Sequence, residues 1–68
     1  MNEYLFFWYN PDGSLYCVVR AEKEKRNREQ MLEYFRHHCK LEGDYYLISK
    51  ADKDWDQWYK KYITFKNK

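Results

Sequence analysis

The aromatic content of this chain constrains its fold more than any other feature. Four Phe, eight Tyr and three Trp residues stand among only 68 residues. A chain of this length is near the lower limit for unaided folding, because a single small core typically contributes only about 3–5 kcal/mol. Large rings bury the most apolar surface for each residue that becomes ordered. The rings therefore explain how the chain can fold, and its length predicts a single domain over residues 1–68.

The N-terminal part of the chain predicts a β-hairpin. Residues 3–9 are dense in aromatic side chains that favour strands, and residues 15–19 form a second run that ends in two valines. The intervening sequence Asn10-Pro11-Asp12-Gly13 is typical of a tight turn. Two strand-like runs joined by such a turn indicate antiparallel pairing.

The first predicted strand has no polar face. Side chains alternate along a strand, so each face of this one receives three apolar residues. These are Tyr4, Phe6 and Trp8 on one face, and Leu5, Phe7 and Tyr9 on the other. Either the rest of the chain covers both faces, or one face is an exposed aromatic patch of the kind that often marks a binding site.

A helical period follows the hairpin. Residues Met31, Leu32, Phe35, His38 and Cys39 fall on one side of a helix, which predicts that His38 lies at the rim of the core. His37 belongs to the opposite, solvent-facing side. The pattern is typical of an amphipathic helix that lies across a sheet.

The two ends of this helix are marked differently. Asn27, with Gln30 three residues later, would form a capping box if the helix begins there. The charged segment 22–29 has no apolar residue, so it is either a solvent-exposed extension of the helix or a charged loop. Gly43 is well placed to end the helix.

The last third of the chain gives two competing patterns. Residues 44–49 predict a third strand. Helical spacing then follows in Trp55, Trp58, Tyr59 and Tyr62. The competing pattern is an alternation of Tyr59, Lys61, Ile63 and Phe65, and the β-branched pair Ile63-Thr64 favours a strand. We therefore predict a short helix at about 52–60 and a fourth strand at 62–65. The predicted fold is α+β, with an antiparallel sheet of three to four strands and one main amphipathic helix across one face.

Enzyme signatures are missing from the sequence. The two glycines lie far apart, so no glycine-rich phosphate loop can form, and neither serine has the context of a nucleophile. Adjacent helical side chains diverge, so His37, His38 and Cys39 are poorly placed to share a metal ion. We expect no catalysis, no cofactor and no metal.

Protein binding is the function that the sequence favours. Trp and Tyr are enriched where binding energy concentrates, and this chain has more rings than a small core needs. The acidic-aromatic segment supplies the candidate residues Asp52, Asp54, Trp55, Asp56, Trp58 and Tyr59. Residues with AT-rich codons, such as Phe, Tyr, Asn and Lys, outnumber Gly, Ala, Arg and Pro. With the small size, this suggests a phage or mobile-element inhibitor of a host nucleic-acid-processing or defence enzyme, similar in role to anti-CRISPR proteins.

Single-stranded nucleic acid is the alternative partner. Such binders combine rings that stack on bases with cations that neutralise phosphates. Here the aromatic face would be Tyr4, Phe6 and Trp8, and the cations would be Arg20, Lys23, Lys25, Arg26 and Arg28.

The expected setting is the cytoplasm, that of the host if a phage encodes the chain. The apolar run at residues 4–9 is too short for a membrane span or a signal-peptide core. Two cysteines allow at most one bridge, and we expect both thiols to be reduced. No membrane partner is expected, and homodimer formation is left open.

Overall fold

The computed structural model describes residues 1–38 and 43–67. In chain order it contains β1 (Asn2–Tyr9), β2 (Leu15–Glu24), α1 (Arg28–His38), β3 (Tyr45–Ser49) and α2 (Trp55–Lys66). The strands form one antiparallel sheet in the order β2-β1-β3. The predicted α+β class is confirmed, and the sheet has three strands within the described ranges.

The predicted hairpin is confirmed, and side chains help to close its turn. The Asn10 N–H donates to the Ser14 carbonyl at 2.7 Å, and the Gly13 N–H donates to the Asn10 carbonyl at 2.9 Å. The Asp12 carboxylate accepts from the Ser14 hydroxyl at 2.6 Å and from its N–H at 2.9 Å. These bonds lower the pKa of Asp12. Beyond the turn, β2 continues past its predicted end to Glu24.

Strand β1 lies in the centre of the sheet, and both of its faces are covered. On one face, Tyr4 and Phe6 are 3% and 1% exposed, and Phe6 stacks on Phe35 of α1 with ring centroids 4.0 Å apart. On the other face, Leu5 and Phe7 are fully buried in a second cluster that includes Tyr62 of α2. The sequence left open whether one face is exposed, and the structure shows two small cores separated by the sheet.

The second core exists because α2 is longer than the sequence predicted. The fourth strand at 62–65 is wrong, since α2 continues to Lys66. Trp55, Trp58, Tyr59, Tyr62 and Phe65 are all at least half-buried, so one helical stripe extends through the segment. Ile63 is exposed, and the neighbouring Thr64 hydroxyl donates to the Lys60 carbonyl one turn earlier. The apolar stripe therefore outweighs the β propensity of Ile63 and Thr64.

The first helix begins where the capping box predicts. The Gln30 N–H donates to the Asn27 side-chain oxygen at 2.9 Å, and the Asn27 N–H donates to the Gln30 side-chain oxygen at 2.9 Å. This reciprocal pair satisfies two backbone donors that helix geometry leaves without partners. The alternative prediction, an exposed helical extension over residues 22–29, is wrong, because β2 continues to Glu24.

The prediction of which α1 residues face the core is correct for Met31 and Phe35 and wrong for His38. Met31 and Phe35 are buried, and Leu32 packs beside them. His38 is exposed, with its ring 4.4 Å from the Tyr34 ring on the outer side of the helix. The helical period shows which residues share a side, but not where the sheet beneath them ends. The prediction for Cys39, and the helix end before Gly43, fall on residues 39–42, outside the described ranges.

Replacing Asn27 by Ala is expected to lower the free energy of unfolding by about 1 kcal/mol, because the capping pair is lost. Asp54→Ala is the matched control, since Asp54 occupies the N-cap of α2 without a side-chain hydrogen bond to the helix. Only a weak interaction with the helix dipole is lost there, so the control should cost less than about 0.5 kcal/mol. Urea denaturation measures both variants, and equal losses would contradict the capping role of Asn27.

Candidate protein-binding surface

Asp52 has a structural role that the sequence did not indicate. Its carboxylate accepts from the Ser49 N–H at 2.9 Å and pairs with the Arg28 guanidinium. The bond from the Ser49 backbone is the main cause that lowers the pKa of Asp52, and Arg28 adds to it. Arg28 was expected to contact nucleic acid and Asp52 a protein partner, yet the two side chains bind each other.

The pair of Arg28 and Asp52 closes the outer edge of β3. The Tyr9 N–H donates to the Asp44 carbonyl, and the Lys50 N–H donates to the Glu3 carbonyl. The backbone N–H and C=O groups of even-numbered residues in β3 therefore point towards β1, and those of odd-numbered residues point outwards. Arg28 donates to the outward carbonyl of Leu47, and Asp52 accepts from the outward N–H of Ser49. Side chains thus occupy backbone groups that could pair with another strand.

The other two acidic candidates are exposed at the start of α2. Asp54 is the N-cap residue, and Asp56 lies in the first helical turn. Carboxylates at this end of a helix favour it by opposing the positive end of the helix dipole. Both are accessible to a partner, and both also have this ordinary role in stabilising the helix.

The three aromatic candidates of the segment divide between two sides of α2. Trp55, Trp58 and Tyr59 are all half-buried against the second core. Trp55 stacks on Tyr59, whose ring lies beneath the Arg20 guanidinium at 5.3 Å. Trp58 points towards β3 instead, where its ring lies 5.4 Å from that of Tyr46. The segment therefore does not present its rings as one continuous surface.

A compact group of rings lies around Trp58, and we call it the aromatic–lysine patch: Tyr9, Tyr46, Trp58 and Lys61. The Trp58 ring packs on buried Phe7 at 4.8 Å, and the Lys61 ammonium lies 4.6 Å from the centre of the Trp58 ring. Tyr9 meets Tyr46 edge-on at 5.8 Å. Tyr46 is 47% exposed, so the patch is both packed from below and open to solvent.

The surroundings of the patch are concave and carry mostly positive charge. An open groove between the hairpin and α2 adjoins it, with Leu15 and Phe65 among its apolar walls and Lys60 and Lys61 at its side. Asp44 is the acidic side chain that lines the patch itself. Burial, and then the neighbouring Tyr46, raise the pKa of Tyr9, so its phenol stays neutral at physiological pH. The patch can therefore offer apolar rings, phenol hydroxyls and ammonium groups to a ligand.

The predicted nucleic-acid face is not available for base stacking. Helix α1 covers Tyr4 and Phe6, and the Tyr4 hydroxyl donates to the Arg26 carbonyl at 2.8 Å. Trp8 is half-buried and packs against Tyr16 at 4.9 Å. The prediction that Tyr4 and Phe6 form an exposed stacking surface is wrong, because α1 packs against these rings.

The predicted cations do not form one basic surface. Arg20 lies on the α2 face of the sheet, where it pairs with Glu3 and Glu22. Arg26 lies over the Tyr34 ring on the α1 side and pairs with Glu24. Lys23 and Lys25 are exposed near the end of β2. Pairing with carboxylates and separation by the sheet both weaken any shared field.

Sequence reasoning missed three of the four patch residues. Tyr9, Tyr46 and Lys61 belong to the hairpin, the third strand and the helix, respectively. The alternation along the strands partly indicates the position of Tyr46, because residues directly opposite each other lie on the same face of a sheet and Phe7 lies opposite Tyr46. That register cannot be known before the sheet order is known.

A metal-binding cluster and a membrane-spanning helix are both absent from the described residues. Over residues 1–38 and 43–67, no group of three His, Cys, Asp or Glu side chains is arranged to hold a metal ion. None of the helices in these ranges is long and apolar enough to cross a membrane. Cys17 lies in β2, and its side chain is partly buried.

Comparison with protein-family models, with curated proteins and with solved structures gave no match. The chemistry of the surface is therefore the basis on which a function can be inferred.

Proposed function

We propose that this protein acts by binding another protein through the aromatic–lysine patch. The observation that carries the proposal is the exposure of Tyr46 beside a Trp58 ring that contacts both Phe7 and Lys61. Tyr and Trp are the residues that most often dominate binding energy at protein interfaces. A surface of this kind needs no cofactor and no catalytic group, so the role that we propose is non-catalytic.

The packing of the patch supports tight binding. Association is opposed by the loss of side-chain freedom, which typically costs about 0.5–1.5 kcal/mol for each flexible side chain that is immobilised. Phe7 and Lys61 already restrict the Trp58 ring, and Tyr46 and Tyr9 restrict each other. Much of the ordering has therefore taken place before a partner arrives.

The charge around the patch defines the partner that fits it. Lys60 and Lys61 lie beside the rings, so the favoured partner surface is apolar with acidic side chains at its rim. The sequence instead suggested that the acidic segment 52–59 would meet a basic groove. Trp58 already contacts the Lys61 ammonium, and the Asp52 carboxylate already pairs with Arg28. We therefore propose a partner whose surface is acidic rather than basic.

A narrower proposal concerns the biological role. An intracellular inhibitor of a host nucleic-acid-processing or defence enzyme, similar in role to anti-CRISPR proteins, fits the small size and the codon bias of the composition. A cytoplasmic setting, in which both thiols are expected to be reduced, belongs to the same proposal.

Replacing Tyr46 by Ala is expected to weaken partner binding at least about tenfold, which corresponds to about 1.4 kcal/mol. Tyr34→Ala is the matched control, because Tyr34 is 39% exposed but lies on α1, on the other side of the sheet. Nuclease-treated lysate of an AT-rich bacterium is passed over each immobilised protein, and the captured partner is then titrated against each variant. Equal affinities of the Tyr46 and Tyr34 variants would contradict the proposed surface.

Single-stranded nucleic acid is the second candidate ligand, now at the aromatic–lysine patch rather than at Tyr4 and Phe6. The exposed ring of Tyr46 and the partly exposed rings of Tyr9 and Trp58 lie near Lys60 and Lys61, and together they offer the stacking and the charge that such ligands require. Salt separates the two candidates. Affinity for a single strand should fall steeply, with a log–log slope of about −0.7 for each phosphate contacted, whereas a complex held by rings should depend weakly on salt.

A further inference from the structure

The outer edge of β2 is open, in contrast to the outer edge of β3. The Asn10 N–H donates towards the β2 side, whereas the backbone groups of Tyr9 and Glu3 bond on the β3 side. The backbone groups of even-numbered residues in β1 therefore point towards β2. Their partners in the register are Cys17, Val19 and Ala21. The backbone groups of Val18 and Arg20 therefore point outwards, and among the described residues no side chain bonds to them as Arg28 and Asp52 do at β3.

Irregularities at both ends limit this open edge to a short, regular segment. One register shift lies beside Tyr16, and another lies beside Lys23, whose φ of 54° is in the left-handed region. Residues 17–21 between them pair with β1 in an unbroken register. Val19 is 41% exposed on the α1 face of this segment, so the edge carries an apolar side chain that the fold leaves uncovered.

We infer that two copies of this chain pair through β2, edge to edge and antiparallel, to form a continuous six-stranded sheet. Symmetric registers centred on Val19 or on Arg20 each pair five residues of one copy with five of the other and stay within residues 17–22. One places Arg20 opposite Arg20 of the second copy, and like charges directly opposite are unfavourable. The other places Val19 opposite Val19 of the second copy, and the outward groups of Val18 then bond to those of Arg20. The second register is the one that we assign.

Charge complementarity favours a second copy as the occupant of this edge. A depression along the edge is lined by Glu22, Arg20, Val18 and Lys66. Along α2, Tyr59 contacts Arg20, and Phe65 lies near Leu15. Lys66 therefore lies towards the Val18 end of the edge. Glu22 lies at the other end. An antiparallel two-fold axis at Val19 brings Glu22 of each copy towards Lys66 of the other. Two attractive pairs would form on each such dimer.

Sedimentation velocity over about 1–500 µM tests the inference, a range chosen because short-edge dimers fall at the weak end of protein association. Dimer formation is expected within this range, and Glu22→Lys or Lys66→Glu alone should raise the dimer Kd at least about tenfold. The double variant restores opposite charges and should recover most of the affinity. A monomer at every concentration, or a double variant as weak as both single variants, would overturn the inference.

Two further measurements test the register itself. Val19→Lys places two ammonium groups against each other and should abolish the dimer, whereas the β-branched control Val19→Thr should retain it. Hydrogen exchange should show protection of the Val18 and Arg20 amides that rises with protein concentration. The Val19 amide, which already bonds to β1, is the internal control. Concentration-independent exchange at Val18 and Arg20 would overturn the inference even if some other dimer forms.

Discussion

Replacing Phe35 by Ala is expected to unfold the protein at room temperature. The Phe35 ring stacks on Phe6 at 4.0 Å and an interplanar angle of 9°, and both rings are buried between α1 and the sheet. Truncation of a buried Phe typically costs about 3–5 kcal/mol, because apolar contacts are lost and a cavity is left. A domain of this size has a total stability of about the same magnitude.

The adjacent Tyr34 provides the control for this prediction. Tyr34 is exposed on the same helix, so Tyr34→Ala removes a ring of similar size without opening the core. It should cost about 1 kcal/mol and leave a cooperative thermal transition. Circular dichroism and dispersed NMR spectra distinguish the two outcomes. A folded, cooperative Phe35→Ala variant would show that the core on the α1 side contributes much less than its packing indicates.

Replacing Gly43 by Ala is expected to have the second-largest effect, with a loss of about 3 kcal/mol or more. Gly43 has a φ of +95°, a conformation that L side chains rarely adopt. An added Cβ would lie 2.5 Å from the Tyr9 carbonyl oxygen and 3.0 Å from the Asn10 carbonyl carbon. Backbone strain and steric overlap each typically cost about 1–3 kcal/mol, and the obstructing atoms belong to backbone that cannot rotate away.

Gly13 separates the two contributions. Its φ of +92° is nearly the same, but nothing lies within 4 Å of a Cβ added there. Gly13→Ala should therefore cost only the strain, about 1–2 kcal/mol. Urea titrations of both variants give the difference, which measures the close approach of Gly43 to the end of β1. Equal losses would mean that the hairpin end moves aside without cost.

Local sequence signals predicted much of the fold, because they depend on neighbours along the chain. The turn at Asn10–Gly13 and the capping pair of Asn27 and Gln30 form through short-range hydrogen bonds. The alternation along β1 correctly separated Tyr4 and Phe6 from Leu5 and Phe7. A strand period and a cap are properties of a few consecutive residues, so the sequence contains the information needed to predict them.

The candidate site was predicted only at Trp58. Asp52 was expected to face a partner, and Tyr4 and Phe6 were expected to face nucleic acid if their side of the sheet was exposed. Asp52 instead closes the β3 edge with Arg28, and α1 covers Tyr4 and Phe6. Tyr46 became a candidate only once the register placed it beside Trp58.

The sequence by itself determined the hairpin, the start of α1, the helical stripe that begins at Trp55 and the two apolar faces of β1. Tertiary packing decided that residues 62–65 continue that helix, because Tyr62 then covers Leu5 and Phe7 on one face of β1. It also decided which rings remain exposed. The aromatic residues alone do not indicate which rings are covered, because exposure depends on how far each short helix extends over the sheet, a long-range property of the packed molecule.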